Sequence, residues 1–240
     1  MSLHLVELPL SLPALNRWAG PRSFSRGVFD EGLALHHLLG EVFGPAALQP
    51  FRLMVAPRTQ QGTVYAYASR PAAELRRDAQ AVLGPAHADV VTLEALRSLP
   101  RPAEGWREGQ RLGFDVRLRP VVRLAKAAGG FAKGAEIDAF LAEALRSDAP
   151  RAREAVYLDW LAQRLAPAAR LDPDASRLHA FQRSTVTRNG RRLEGPEVII
   201  HGTLTITDTA AFGNLLARGI GRHRSYGFGM LLLRPPQRAG

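Results

Sequence analysis

The order in which strand-like and helix-like segments follow one another constrains this chain most, because the same order occurs twice. Leu3 and Leu5 begin a short strand, and a loop carrying Pro13, Gly20, Pro21 and Gly27 follows. The apolar spacing then predicts a helix over 30–43, with Asp30 as its N-cap and Gly44-Pro45 as its stop. Two short strands are expected at 51–55 and 63–67, with Gly62 in the turn between them. Pro71 opens a second helix, which carries Leu75, Ala79, Val82 and Leu83 on one face and closes at Gly84-Pro85. A weaker strand falls at 89–93, completing the order β-α-β-β-α-β.

Pro100-Arg101-Pro102-Ala103-Glu104-Gly105 has the composition of a linker, and the order returns after it. A well-alternating strand covers 111–118, and helical segments cover 135–146 and 151–166. A hairpin pattern joins 178–187 to 197–206 around Asn189-Gly190. A helix at 208–217, capped by Asp208 and ended by Gly219, leads to a last strand at 230–233. The expected fold class is α+β, with two tandem ferredoxin-like (RRM-like, βαββαβ) domains. The first would occupy 1–100 and carry the helix at 30–43. A linker would span 101–109, and the second domain would occupy 110–240 with the hairpin and a glycine-rich loop.

Thirty-two Lys and Arg against 22 Asp and Glu give a formal charge of +10, and lysine occurs only at Lys126 and Lys133. Arginine grips phosphate with a flat fork of donors and stacks on bases, so this excess suits a nucleic-acid partner. Arginine replacing lysine in a GC-rich coding sequence gives the same composition, so position must decide. The chain has no cysteine, no H-E-x-x-H, no cluster of carboxylates and no G-x-S-x-G, so neither a metal centre, a cofactor nor a serine nucleophile is expected. Glu7, Pro9 and Pro13 interrupt the apolar N-terminus, and no run approaches the roughly 18 apolar residues of a membrane span, so the expected location is the cytoplasm, with no membrane partner.

The strongest local pattern is Gly219-Ile220-Gly221-Arg222-His223-Arg224-Ser225-Tyr226-Gly227-Phe228-Gly229. Four glycines interleaved with cationic and titratable side chains let backbone amides and arginines approach an anion, for which phosphate is the natural candidate. A helix C-cap followed by a packing turn accounts for the glycines equally well. The run is not a dinucleotide fingerprint, because Arg224 stands where the third glycine would fall, and no Gly-Lys-Ser/Thr of a P-loop exists in the chain.

Gly219 to Leu233, G-I-G-R-H-R-S-Y-G-F-G-M-L-L-L, resembles the C-terminal glycine-rich motif of CasE-like CRISPR-RNA-processing endoribonucleases, a repeat-cleaving family of the RAMP superfamily. The strand region 109–120 and the short strands at 51–55 and 63–67 are similar to that family's layout, whereas 121–175 matches weakly. The resemblance implies two ferredoxin-like domains and a metal-independent cut at the 3′ base of a CRISPR repeat stem-loop. In that reaction the RNA's own 2′-hydroxyl attacks the adjacent phosphate, leaving a 2′,3′-cyclic phosphate and a 5′-hydroxyl. It further implies a partner RNA that is both precursor and mature guide, other subunits of a CRISPR effector complex, and a monomeric chain.

The family's catalytic histidine lies on the first helix, where Gly32-Leu33-Ala34-Leu35-His36-His37-Leu38-Leu39 is similar. At 100° per residue, His36 falls on the flank of the apolar face defined by Leu35, Leu38, Leu39 and Val42, while His37 points to solvent, so His36 is the better candidate. Relatives often place a tyrosine three residues before this histidine, and here Leu33 stands there, a departure that fits a variant type I-E or type IV member. Leu33 transfers no proton, so the second catalytic role falls to Arg22, Ser23, Arg26 or Tyr226, or to water. RNA contact is expected from Arg183, Arg188, Arg191 and Arg192 of the hairpin, shaped to enter the major groove of an A-form stem. Gly221, Arg222, His223, Arg224 and Gly227 of the loop would add contacts, with Arg117, Arg119 and Arg123 along a strand face. Leu33 also keeps a second reading open, a non-cleaving subunit that holds the guide's 3′ hairpin.

Overall fold

The computed structural model describes residues 2–22, 29–188 and 191–236, with backbone alone at 103, 188 and 191. Its first half runs β1 (His4–Ser11), α1 (Leu12–Ala19), α2 (Glu31–Phe43), β2 (Phe51–Val55), β3 (Gln61–Ala68), α3 (Ala72–Val82), a short α4 (Pro85–Ala88) and β4 (Arg97–Pro100). The second half runs β5 (Arg111–Leu118), β6 (Val121–Arg123), β7 (Glu136–Asp138), α5 (Ala139–Ala144), α6 (Arg153–Leu165), β8 (Ala169–Arg188), β9 (Arg191–Ile206), α7 (Thr209–Arg218) and β10 (Leu231–Arg234). The two main sheets have the strand orders β2-β3-β1-β4 and β10-β5-β9-β8, and every pairing is antiparallel. Each is the strand order of the ferredoxin-like unit, in which the first and third strands lie at the centre. The fold class expected from the sequence is the one observed.

Period-two alternation sorts each sheet into an inner and an outer face. Val6, Leu8 and Leu10 of β1 and Val64, Ala66 and Ala68 of β3 are buried with Leu35, Leu38, Leu39 and Val42 of α2 in one core. Phe114, Val116 and Leu118 of β5 and Val198, Ile200 and Leu204 of β9 pack with Val156, Trp160 and Leu161 of α6 and Phe212 and Leu216 of α7 in another. Fully burying one such side chain is worth about 1.5–3 kcal/mol, so the two cores carry most of the stability.

The halves also lock together. Leu3 and Tyr67, from the first, belong to the core of the second, and the buried Tyr67 hydroxyl donates to Leu231 O at 3.0 Å. Burial pushes that phenol well above its usual range. Arg52 of β2 reaches Asp115 of β5 at 3.2 Å, with side chains only 6% and 3% exposed. Asp115 also meets Arg234 at 2.7 Å and His201 at 2.9 Å, and His179 stacks on His201 with ring centroids 4.0 Å apart. The Arg52 Nη1 and Asp115 Oδ1 atoms meet without hydrogen-bond alignment, so charge attraction rather than a directed bond joins them.

Several local expectations are corrected. The stretch after β1 is helix α1 and not a loop: Pro13 sits in the first turn, where its missing N–H costs nothing, and the Ser11 hydroxyl accepts from Ala14 N at 3.4 Å. The fourth strand of the first sheet is 97–100 and not 89–93, where only Val91 forms a lone bridge to Leu10. Val90, Val91 and Leu93 are instead plugged into the core through a turn, which consumes the apolar signal that had suggested a strand. Helix α5 starts only at Ala139, because 136–138 pairs with β6. The expected hairpin strands are much longer, starting at Ala169 on one side, while Asn189-Gly190 lies outside the described residues.

Candidate functional site

Helix α2 begins where Asp30 Oδ1 accepts from Leu33 N at 3.0 Å, an N-cap that satisfies one of the helix's orphan amides. Its apolar stripe fixes the rotation of the remaining side chains: His36 is half-buried on the flank and His37 is exposed. Gly32, one turn before His36, lies tight against the glycine-rich loop. A Cβ built there would stand 2.5 Å from the backbone oxygen of Tyr226.

Tyr226 belongs to the glycine-rich loop. Gly219, Gly221, Gly227 and Gly229 all have positive φ, and His223 shares that left-handed conformation at φ 61°. Gly229 is the tightest position: Ile220 N donates to its carbonyl at 2.8 Å, its own amide donates to Arg117 O at 2.8 Å, and any Cβ would collide with Ile220 O. This closure turns the loop onto α2, so the Tyr226 ring packs against His36 with centroids 4.8 Å apart, and Ser225 joins His36 in a small recess floored by Phe51. The His223 ring stands 6.5 Å from that of Tyr226. The structure therefore brings together His36 and Tyr226, which the sequence had offered from opposite ends of the chain.

Other expected site residues are placed as follows. Arg22 lies 4.0 Å over Trp18, donates to Trp18 O and faces Glu41 at 3.6 Å, on a different flank of α2 from His36. Ser23 and Arg26 lie outside the described residues, as do the side chains of Arg188 and Arg191. Arg192 is exposed, and Arg183 is exposed but held by Glu194 across the hairpin at 2.7 Å. Arg222 reaches Glu136 at 2.5 Å, and Arg224 donates to Arg218 O at the end of α7. Arg119 is only 3% exposed; its guanidinium donates to Ser184 Oγ and to the carbonyls of Ser184 and Leu193, bracing the root of the hairpin. Arg123 does not continue the strand face of Arg117, because Pro120 ends that strand and Arg123 pairs with Glu136 from β6.

The hairpin root closes against α2. Thr187 N donates to the second oxygen of Asp30 at 2.7 Å, so one carboxylate caps the helix and ties down the hairpin. Beneath this tie lies a cavity of about 350 Å³, walled by the start of α2, the hairpin root and the glycine loop. Arg117 lies 4.4 Å over the Phe228 ring and donates to Glu197 through Nε at 2.9 Å, while Gln182 donates to the same carboxylate at 3.0 Å. Burial alone would raise the Glu197 carboxyl, but Arg117, Ser184 and Gln182 together outweigh it and hold it below the usual range. Glu31 behaves oppositely: burial raises its carboxyl, and the pull of Arg117 does not compensate. Sequence reasoning missed Glu31, Glu197 and Phe228. Glu31 reads as an ordinary acidic residue in a first helical turn, and nothing local marks a strand glutamate as facing a cleft.

Among the described residues no three His, Asp or Glu side chains converge as metal ligands, and no helix is long and apolar enough to cross a membrane. The two sheets, each with the ferredoxin-like strand order, define a tandem ferredoxin-like protein, in which the glycine loop, the start of α2 and the hairpin root meet around a cavity. The chain belongs to the CRISPR associated protein family, whose model matches residues 3–235. No curated protein matches it in sequence. Its fold is similar to that of Thermus thermophilus Cse3 bound to an RNA representing a pre-cleavage complex, at 20% identity and TM-score 0.68, over 98% of this chain and 100% of that one. It is also similar to the CRISPR-associated protein Cas6e from Escherichia coli K-12, at 21% identity and TM-score 0.59, over 98% and 100% of the two chains. A chain of a CRISPR RNA-guided surveillance complex matches at 19% identity and TM-score 0.54, over 97% of this chain and 99% of that one. The resemblance read from Gly219 to Leu233 thus holds at the level of family and fold.

Proposed function

We propose that this chain is a metal-independent endoribonuclease that cuts CRISPR repeat stem-loops in precursor transcripts and keeps the 3′ hairpin of the product. The contact of His36 with Tyr226 beside an arginine-bearing hairpin carries the reading. It is supported by family membership and by a fold shared with proteins described as CRISPR endoribonucleases bound to RNA and with a surveillance-complex chain. The first ferredoxin-like unit, within 1–100, supplies the proton-transfer helix, and the second, within 110–240, supplies the grip.

In the proposed reaction the 2′-oxygen attacks phosphorus, the bond from phosphorus to the 5′-oxygen breaks, and a cyclic phosphate forms. One group takes the proton of the 2′-hydroxyl and another protonates the leaving oxygen. His36 takes one role, since imidazole titrates near neutrality. Tyr226 fills the place that Leu33 leaves vacant, holding the imidazole by ring contact and offering a hydroxyl to the phosphate or the leaving oxygen. Arg222 and the hairpin arginines neutralise backbone charge. The same surface would serve complex assembly once the RNA is cut.

The decisive experiment incubates wild type and His36→Ala with labelled repeat RNA in excess EDTA. A single cut at the stem base with a cyclic-phosphate end, slowed by about 10²-fold or more in the variant, is expected. Tight, salt-sensitive binding without any cut by wild type would instead make the chain a guide-holding subunit.

A further inference from the structure

The cavity walled by Tyr226, the first turn of α2 and the hairpin root, at about 350 Å³, is of ligand-pocket size, and His36 lies one helical turn beyond Gly32 of its lining. Its lining sets three carboxylates, Asp30, Glu31 and Glu197, against two guanidiniums, Arg117 and Arg183, which does not suit a surface that only grips phosphates; Asp30 is committed to the cap and the hairpin tie. Carboxylates repel an RNA backbone, so each one here needs another use. Glu197 has one, in the bonds from Arg117 and Gln182. Glu31 favours the positive end of α2 from its first turn, but its carboxylate is half-buried, lines the cavity, and makes no hydrogen bond to another described residue.

We propose that this cavity takes one unpaired guanine of the RNA next to the cleaved phosphate, with the Glu31 carboxylate accepting from the N1–H and the N2 amino group. The inference rests on the reading of the chain as a repeat-cutting ribonuclease. Guanine alone among the four RNA bases presents two adjacent N–H donors on its Watson–Crick edge, which match the two oxygens of one carboxylate. Adenine and cytosine offer one donor beside an acceptor, and uracil offers one donor between two acceptors, so each sets a lone pair against a carboxylate oxygen. Arg117 spends Nε and Nη2 on Glu197, and its Nη1 donates to the guanine O6. The Tyr226 ring, half-buried at the cavity wall, gives the base a stacking surface and sets the flanking phosphate near His36.

Inosine lacks only the N2 amino group, which makes it the probe. Repeat RNAs carrying guanosine or inosine at each unpaired position beside the stem would be bound and cleaved by wild type and by Glu31→Gln. At one position wild type is expected to favour guanosine by at least about tenfold, the loss of one hydrogen bond to a charged group, and Glu31→Gln to bring the ratio near one. Cleavage that proceeds equally with both at every unpaired position overturns the pocket and leaves the ribonuclease reading intact. A preference for adenosine or cytidine overturns it as well. Should wild type neither bind nor cut repeat RNA, the ribonuclease reading fails, and titration with guanosine and inosine 3′-monophosphates decides the pocket separately. A guanosine preference there supports it and equal binding overturns it. The wild-type comparison needs no variant to fold, and thermal melting monitors Glu31→Gln.

Discussion

Replacing Gly32 by alanine puts one methyl group at the point where α2 meets the glycine-rich loop. The new Cβ would stand 2.5 Å from Tyr226 O, 3.2 Å from Tyr226 C and 3.4 Å from Tyr226 Cβ. The first distance is roughly 0.9 Å inside the range of ordinary contact, and its partner is backbone, so no rotamer change relieves it. Helix and loop must part by most of that distance. Overpacking of this kind costs about 1–3 kcal/mol. Alanine also gains up to about 1 kcal/mol of helix propensity, which would mask part of the cost. Gly40, on the same helix with nothing within 4 Å of its Cβ position, supplies the correction. Gly40→Ala should gain the propensity alone, so the difference between the variants isolates the collision. At this chain length the gap corresponds to roughly 2–12 °C in Tm, read by calorimetry. Separation of Tyr226 from His36 by close to 1 Å should also slow single-turnover cleavage of a repeat stem-loop by about 10²-fold. A Gly32→Ala protein that melts with Gly40→Ala and cuts at the wild-type rate would refute the claim that loop and helix must touch for the site to work.

Arg52→Ala should cost about 3 kcal/mol in chemical unfolding, the low end for a broken buried pair, because Asp115 keeps Arg234 and His201. Asp115→Ala, which strands two guanidiniums and the His201 imidazole, should cost more. Burial first, then His179 and Arg234, hold the His201 imidazole below its ordinary range against the pull of Asp115. The unfolded chain therefore takes up that proton first, so this contribution is complete above the ordinary imidazole range and is lost as pH falls through it. The lowered Glu197 carboxyl adds a loss of the same sign further down, in the carboxylate range. Melting curves between about pH 8 and pH 5 should show the decline, His201→Gln should flatten its upper part, and an unchanged slope in that variant would sink the assignment. Arg192→Ala should lower the salt slope of RNA binding by about one, and Arg183→Ala by less, since Glu194 already holds its guanidinium.

What the sequence disclosed of all this was the part governed by near neighbours. Asp30 as cap, the apolar stripe of α2 and the flank position of His36 follow from spacing along one helix, and the alternation of 111–118 placed β5 to the residue. The misreadings came where a local signal had two meanings. Pro13 looked like a loop residue because its place in a first helical turn depends on Ser11, and Val90-Val91 looked like a strand because burial and pairing leave the same apolar trace. The approach of Gly32 to Tyr226 is a tertiary fact, set by how Gly229 folds the loop back on Ile220, and no pattern within either segment encodes it. Arg119 shows the same limit from the other side. Its charge suggested a ligand contact, while its burial turned it into a brace.

Asp30 spends its two oxygens on two different parts of the molecule, Leu33 N at the start of α2 and Thr187 N in the hairpin. A hairpin that swings to admit an RNA stem must break or stretch the second bond, and the carboxylate then rebalances toward or away from the first. A helix cap is worth about 1 kcal/mol, enough to alter how firmly the first turn of α2 is held. The hairpin and α2 thus share a clutch: were a stem seated as proposed, its arrival would be transmitted through the Asp30 side chain to the footing of the helix that carries His36. In such an arrangement an empty cleft and a loaded one would differ in more than occupancy, and any selectivity for one stem over another would be exercised partly as timing.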